Sequence, residues 1–166
     1  MADAPPTEGA RVSHYCTFRL SGHLFGCDIR SVREVNAQTA LTPVPHAPPV
    51  VRGYVNLRGH LFLVLDLRLL LGMEPAPVTA DSRLLIFKAA VGESFGVLVD
   101  RIGDIVAVDA ERTESWRPDE QPPGEEAPFA GRAGERVAGI ARLEGELLVI
   151  VDPHTLLPAV AAALRG

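Results

Sequence analysis

The segment Val51 to Gly72, VRGYVNLRGHLFLVLDLRLLLG, limits the fold more than any other part of the chain. It reads as a strand, a tight turn at Arg58-Gly59, a second strand and a short helical turn. Leu61 to Leu65 is an unbroken apolar run of strand length, which requires cover on both faces. Asp66 is placed to cap the Leu-rich turn that follows, and Gly72 to end it. One charge, Arg58, stands at the tight turn itself.

The segment recurs. Val51, Gly53, Leu57, Gly59, Leu61, Asp66, Leu70 and Leu71 reappear as Val137, Gly139, Leu143, Gly145, Leu147, Asp152, Leu156 and Leu157, each 86 positions later. Upstream, Phe25-Gly26 matches Phe95-Gly96, and Val32, Glu34 and Val35 match Ile102, Asp104 and Ile105, each 70 positions apart. The chain therefore holds two copies of a mostly β unit of about 60 to 80 residues. Strands are predicted over Tyr15–Leu20, Leu24–Ile29 and Ser31–Val35, and again over Arg83–Ala89, Phe95–Val99 and Ile102–Val108. Prolines at 43, 45, 48 and 49 force extended backbone before the first hairpin. Asp152-Pro153 opens a C-terminal helix expected over His154–Leu164, with Pro158 able to kink it or begin a new turn.

The connector Met73–Ser82 separates subdomains expected at about 14–78 and 79–157. Residues 1–13 read as a flexible tail, and 158–166 as the end of the C-terminal helix. Residues 111–136 hold four prolines and seven carboxylates, 16 residues more than the first copy has there (86 − 70), and read as a mobile acidic loop.

PHAPPVVRGYVNLRGHLFLVLDLRLLLG resembles the signature of the CheW family, the coupling proteins of bacterial chemotaxis. VREV upstream and FGVLVDRIGDIVAV downstream match in order and spacing, so the resemblance covers roughly Tyr15 to Leu157. Leu63 stands where the family usually has Pro, and His60 where an apolar residue is common. The resemblance implies a mainly β fold of two small five-stranded SH3-like barrels packed on each other, with short helices and a C-terminal helix. It also implies an adaptor with no active site. Such an adaptor joins the regulatory domain of a CheA-type histidine kinase to the cytoplasmic tip of methyl-accepting chemoreceptors. The alternatives are a divergent scaffold of another chemosensory pathway, in motility or gene regulation, and a self-associating barrel module.

Chemistry visible in the residues is consistent with binding rather than catalysis. The five histidines have no metal-site spacing, and there is no CxxC, phosphate loop or nucleophile elbow. No cofactor is expected. Asp66 and Asp152 are symmetry mates that read as caps, not as an acid pair. Cys16 and Cys27 flank a predicted hairpin and read as small core residues kept reduced. A formal charge of −5 and 5% aromatic residues argue against nucleic acid. No apolar run is long enough to span a membrane, and the N-terminal residues lack the regions of a secretion signal, so no direct membrane insertion and a cytoplasmic location are expected.

The site residues follow from the motif match. Val32, Glu34, Gly53, Asn56, Leu57 and Arg58 fall where the family places its first-barrel functional surface. Leu84 and Ile105 match apolar positions of the groove that receives the receptor helix. Read as residues alone, Gly53 serves backbone geometry, Asn56 satisfies the turn, and Val32, Leu57, Leu84 and Ile105 are equally suited to the core.

Overall fold

The computed structural model describes residues 12–115 and 131–165. In chain order its elements are β1 (Val12–Leu20), β2 (His23–Asp28), β3 (Val32–Asn36), β4 (Val51–Leu57), β5 (His60–Asp66), α1 (Leu67–Leu70) and β6 (Arg83–Phe87). There follow β7 (Phe95–Val99), β8 (Arg101–Asp109), β9 (Thr113–Glu114), β10 (Val137–Leu143), β11 (Glu146–Val151) and α2 (Leu156–Arg165). The fold is mainly β, as the repeat and the resemblance imply. Arg58 and Gly59 both have positive φ, +53° and +86°, which makes the β4–β5 connection a two-residue turn of the kind that matches strand twist. Ser21 and Gly22 do the same between β1 and β2, at +52° and +82°.

The strands form two sheets, ordered β3-β6-β7-β5-β4 and β8-β1-β2-β11-β10-β9. Under the two sequence offsets these orders are the same order, with β9 added as a sixth strand to the second. The registers repeat too. Leu63 lies opposite Phe95 in the parallel β5–β7 pair, and Val149 opposite Phe25 in the parallel β11–β2 pair. A bulge between Val51 and Gly53 recurs between Val137 and Gly139. Each sheet, however, takes strands from both sequence halves. The hairpin β1–β2 pairs with the later strands β8 and β11, while β6–β7 pairs with the earlier β3 and β5. The sheets therefore do not part at the connector 73–82. The two halves exchange their leading hairpins.

Burial follows this exchange. Val55, Leu57, Phe62, Val64, Leu84, Ile86 and Leu98 fill the first sheet's own core. Tyr15, Leu24, Val108, Ala141, Leu148 and Ile150 fill the second's. Alternate residues of the same strands, among them Cys16, Phe18, Phe25, Leu85, Phe87, Phe95 and Val97, meet in a larger core between the sheets. α1 and α2 add Leu67, Leu70, Leu156 and Val160 to this shared core. Cys16 and Cys27 flank the β1–β2 turn, as the predicted hairpin has it. They are direct cross-strand partners, both buried and both free thiols.

Asp66 accepts a hydrogen bond from Leu69 N–H at 3.2 Å, and Asp152 accepts from His154 N–H at 3.0 Å, so both are caps. The C-terminal helix begins later than expected. Pro153–Thr155 is a 3₁₀ turn, and Pro158 lies in the first turn of α2, where no backbone donor is needed. Val12 and Ser13, expected in a tail over 1–13, belong instead to β1, which pairs from Val12 with Asp109. Residues 1–11 lie outside the described residues. The stretch expected as a mobile loop, 111–136, is structured at both ends: Thr113–Glu114 is β9, which pairs with β10, and Gly131–Arg136 is a 3₁₀ helix. Its residues 116–130 lie outside the described residues.

Candidate functional site

Glu34 and Arg58 come from opposite ends of the first sheet. β3 is its first strand, and the β4–β5 turn belongs to its last two. The Arg58 guanidinium donates to the Glu34 carboxylate across that gap. Next to it, the Arg33 guanidinium lies over the Phe62 ring, 5.6 Å from its centroid. These two side-chain contacts thus link β3, at one margin of the sheet, to the β4–β5 hairpin at the other. The Arg58 hydrogen bond holds the Glu34 carboxyl below the ordinary glutamate range, with a smaller contribution from Asn36. Arg58 remains 66% exposed and Glu34 21%, so the guanidinium is the part of the pair offered to solvent.

The neighbouring predicted residues have distinct places. Asn56 accepts a hydrogen bond from Gly59 N–H at 2.9 Å and so fastens the turn that presents Arg58. Gly53 sits at φ +145° beside the isolated bridge between Thr42 and Tyr54, where a Cβ would come within 2.4 Å of Thr42 O. Its role is backbone geometry. Leu57, at 4% exposure, belongs to the first sheet's core. Val32 is half-buried and packs on the shared core.

Leu84 and Ile105 separate. Leu84 has no exposed surface and lies in the first sheet's core, so it offers nothing to a partner in this conformation. Ile105 is 61% exposed on β8, the end strand of the second sheet. Six of the eight predicted residues (Val32, Glu34, Gly53, Asn56, Leu57 and Arg58) lie on the barrel-one hairpin or on β3, the strand at the sheet's other margin. Sequence reasoning missed Val35, exposed beside Glu34, and the exposed apolar pair Tyr54 and Leu61 on the hairpin. The offset of 70 already set Val35 against Ile105, and both prove to be exposed on end strands.

Among the described residues no group of His, Cys, Asp and Glu could hold a metal, and no helix is long and apolar enough to cross a membrane. The CheW-like domain family matches residues 14–161. Over 153 residues the chain is 32% identical to chemotaxis protein CheW of Rhizobium meliloti (strain 1021), covering 92% of this chain and 91% of that protein. It is 41% identical over 92 residues to a probable chemotaxis protein CheW of Rhizobium etli, covering 55% of this chain and 58% of that one. The crystal structure of the scaffolding protein TtCheW from Thermoanaerobacter tengcongensis superposes with a TM-score of 0.70 at 27% identity, over 85% of this chain and 89% of that one. With the repeat and the crossed sheets, these likenesses place the chain in the CheW family, the non-enzymatic coupling and scaffold proteins of chemotaxis.

Proposed function

We propose that this chain couples a CheA-type histidine kinase, through its regulatory domain, to the cytoplasmic tip of methyl-accepting chemoreceptors. The observation that carries the reading is the barrel-one margin. There an exposed guanidinium is held at a rigid two-residue turn by Glu34 and backed by Asn56. A long charged side chain fixed in this way loses little freedom on binding, so it suits a specific polar contact. Ile105, exposed on the end strand of the second sheet, supplies an apolar contact of the kind a receptor helix needs.

The test is calorimetry of the purified chain with the regulatory domain of a CheA-type kinase from the same genome, followed by a receptor-tip fragment. Saturable binding to both, weakened by Arg58→Ala or by Ile105→Ser, supports coupling. Binding to neither partner overturns it.

A further inference from the structure

Arg52 on β4 donates to Asp66 Oδ2 at 3.3 Å, so the carboxylate that caps α1 also carries a guanidinium. The second copy keeps the carboxylate and loses the cation. Asp152 stands for Asp66 and caps the turn after β11, but the place of Arg52 is taken by Ala138, 86 positions on. The backbone is the same: the bulge between Val51 and Gly53, which carries Arg52, recurs between Val137 and Gly139. A second neighbour changes as well. Asp66 lies opposite Leu98 in the parallel β5–β7 pair, and the counterpart of Leu98, 70 positions earlier, is Asp28. The first copy thus sets one carboxylate against one guanidinium, and the second sets two carboxylates against an alanine methyl. The missing side chain leaves a cleft of about 440 Å³, with Asp28, Ala138 and Asp152 in its wall beside Tyr15, Val91 and Pro153. Local donors answer these carboxylates only in part. Arg30, 83% exposed, takes Asp28 at 2.7 Å. His154 gives Asp152 Oδ1 its backbone N–H at 3.0 Å and a ring contact at 3.1 Å. Among the described residues no donor reaches Asp152 Oδ2, although that side chain is 39% exposed.

We propose that this cleft binds a guanidinium group from outside the chain, seated on Asp152 as Arg52 is seated on Asp66, with Asp28 as its second carboxylate. The planar fork of a guanidinium matches a carboxylate. Its methylene stem has Tyr15 and Val91 to lie against. The group arrives either on free arginine or on an arginine side chain of another protein, and the chemistry at Asp152 is the same for both. The site uses neither Arg58 nor Ile105, so it stands or falls separately from the coupling role.

Amide chemical shifts of the isotope-labelled full chain test it. The probe is N-acetyl-arginine amide, and its control is the citrulline analogue, which has nearly the same shape and no charge. Saturable shifts at Ala138, Asp152 and His154 are expected in the millimolar range, which one ion pair with a short stem supports. The citrulline analogue should leave these amides in place. Ala138→Arg is expected to lose the response, because its own side chain fills the cleft as Arg52 fills the other. Asp152→Asn should weaken binding about tenfold while keeping the cap, which Asn serves as well as Asp. Free arginine titrated in parallel separates the two sources. A stronger response than to the capped probe assigns a small-molecule ligand, and an equal or weaker one assigns an arginine side chain of a partner. No saturable shift, an equal response to the citrulline analogue, or undiminished binding in either variant would each overturn the proposal.

Discussion

Arg68 on α1 reaches Asp100 at the crossing from β7 to β8, and Asp100 in turn accepts from Ser21 N–H in the β1–β2 turn, at 2.8 Å. The Arg68 side chain, 11% exposed, also donates to Glu74 O at 3.0 Å. One guanidinium and one carboxylate therefore tie three things together: the helix after the first hairpin, the connector, and the turn of the exchanged hairpin. The barrel-one margin is a different case, since its Arg58 is mostly in solvent.

That difference sets the expected cost of Arg58→Ala. An ion pair this exposed is worth about 0–1 kcal/mol, so thermal unfolding should fall by no more than about 4 °C. Binding to kinase domain or receptor tip should fall much further. A melting temperature lowered as far as that of a core mutant would make Arg58 structural instead.

Leu84→Ala and Ile105→Ala are expected to part company. Leu84 is wholly buried, so its truncation should cost about 2–5 kcal/mol. Ile105, 61% exposed, should cost within about 0.5 kcal/mol. Urea denaturation of both variants, with receptor-tip binding in parallel, reads stability and contact separately.

Gly53→Ala should destabilise by about 1–3 kcal/mol, because it adds a Cβ at φ +145° into Thr42 O. Gly139→Ala meets Glu114 O at 2.7 Å without the positive φ, and should cost less. Hydrogen exchange at Thr42 N–H and Tyr54 N–H, which bridge the two segments at 2.8 Å, should quicken in Gly53→Ala alone.

The Glu34 carboxyl titrates below its ordinary value because Arg58 bonds the charged form. A lowered folded value means stability that is present above the unfolded pKa, about 4.3, and is lost as pH falls through the folded one. Melting temperature measured from pH 7 down to pH 3 should therefore decline less steeply in Glu34→Gln than in wild type. Parallel curves would contradict the pairing.

Burial pushes both thiols up, Cys27 furthest, so neither should react with a thiol reagent in the native protein at neutral pH. Two equivalents should appear on adding denaturant. Prompt labelling before unfolding would mean that the β1–β2 hairpin opens readily.

The local pieces of this fold were legible in the sequence because their signals are local. The Arg58-Gly59 turn, the Asp66 and Asp152 caps and the paired hairpins each depend on residues a few positions apart. The exchange of hairpins was not legible, since the parallel pairing of Leu24 with Leu148 leaves no mark within either strand. The same reason separates Leu84 from Ile105. RLLIF is apolar on both faces, so nothing in it says which core each leucine enters, whereas the alternation around Ile105 is weak because β8 is an end strand. The Glu34–Arg58 pair needed the barrel to close before it could be seen.

The hairpin exchange also governs the order in which the chain can become a protein. Leu24 leaves the ribosome long before its partner Leu148, 124 residues later (148 − 24), so the first hairpin made waits for nearly the last. Meanwhile the smaller sheet, whose strands all lie between Val32 and Val99, has every strand it needs. Biogenesis should thus run inside out, the middle of the chain settling first and the two ends closing over it together.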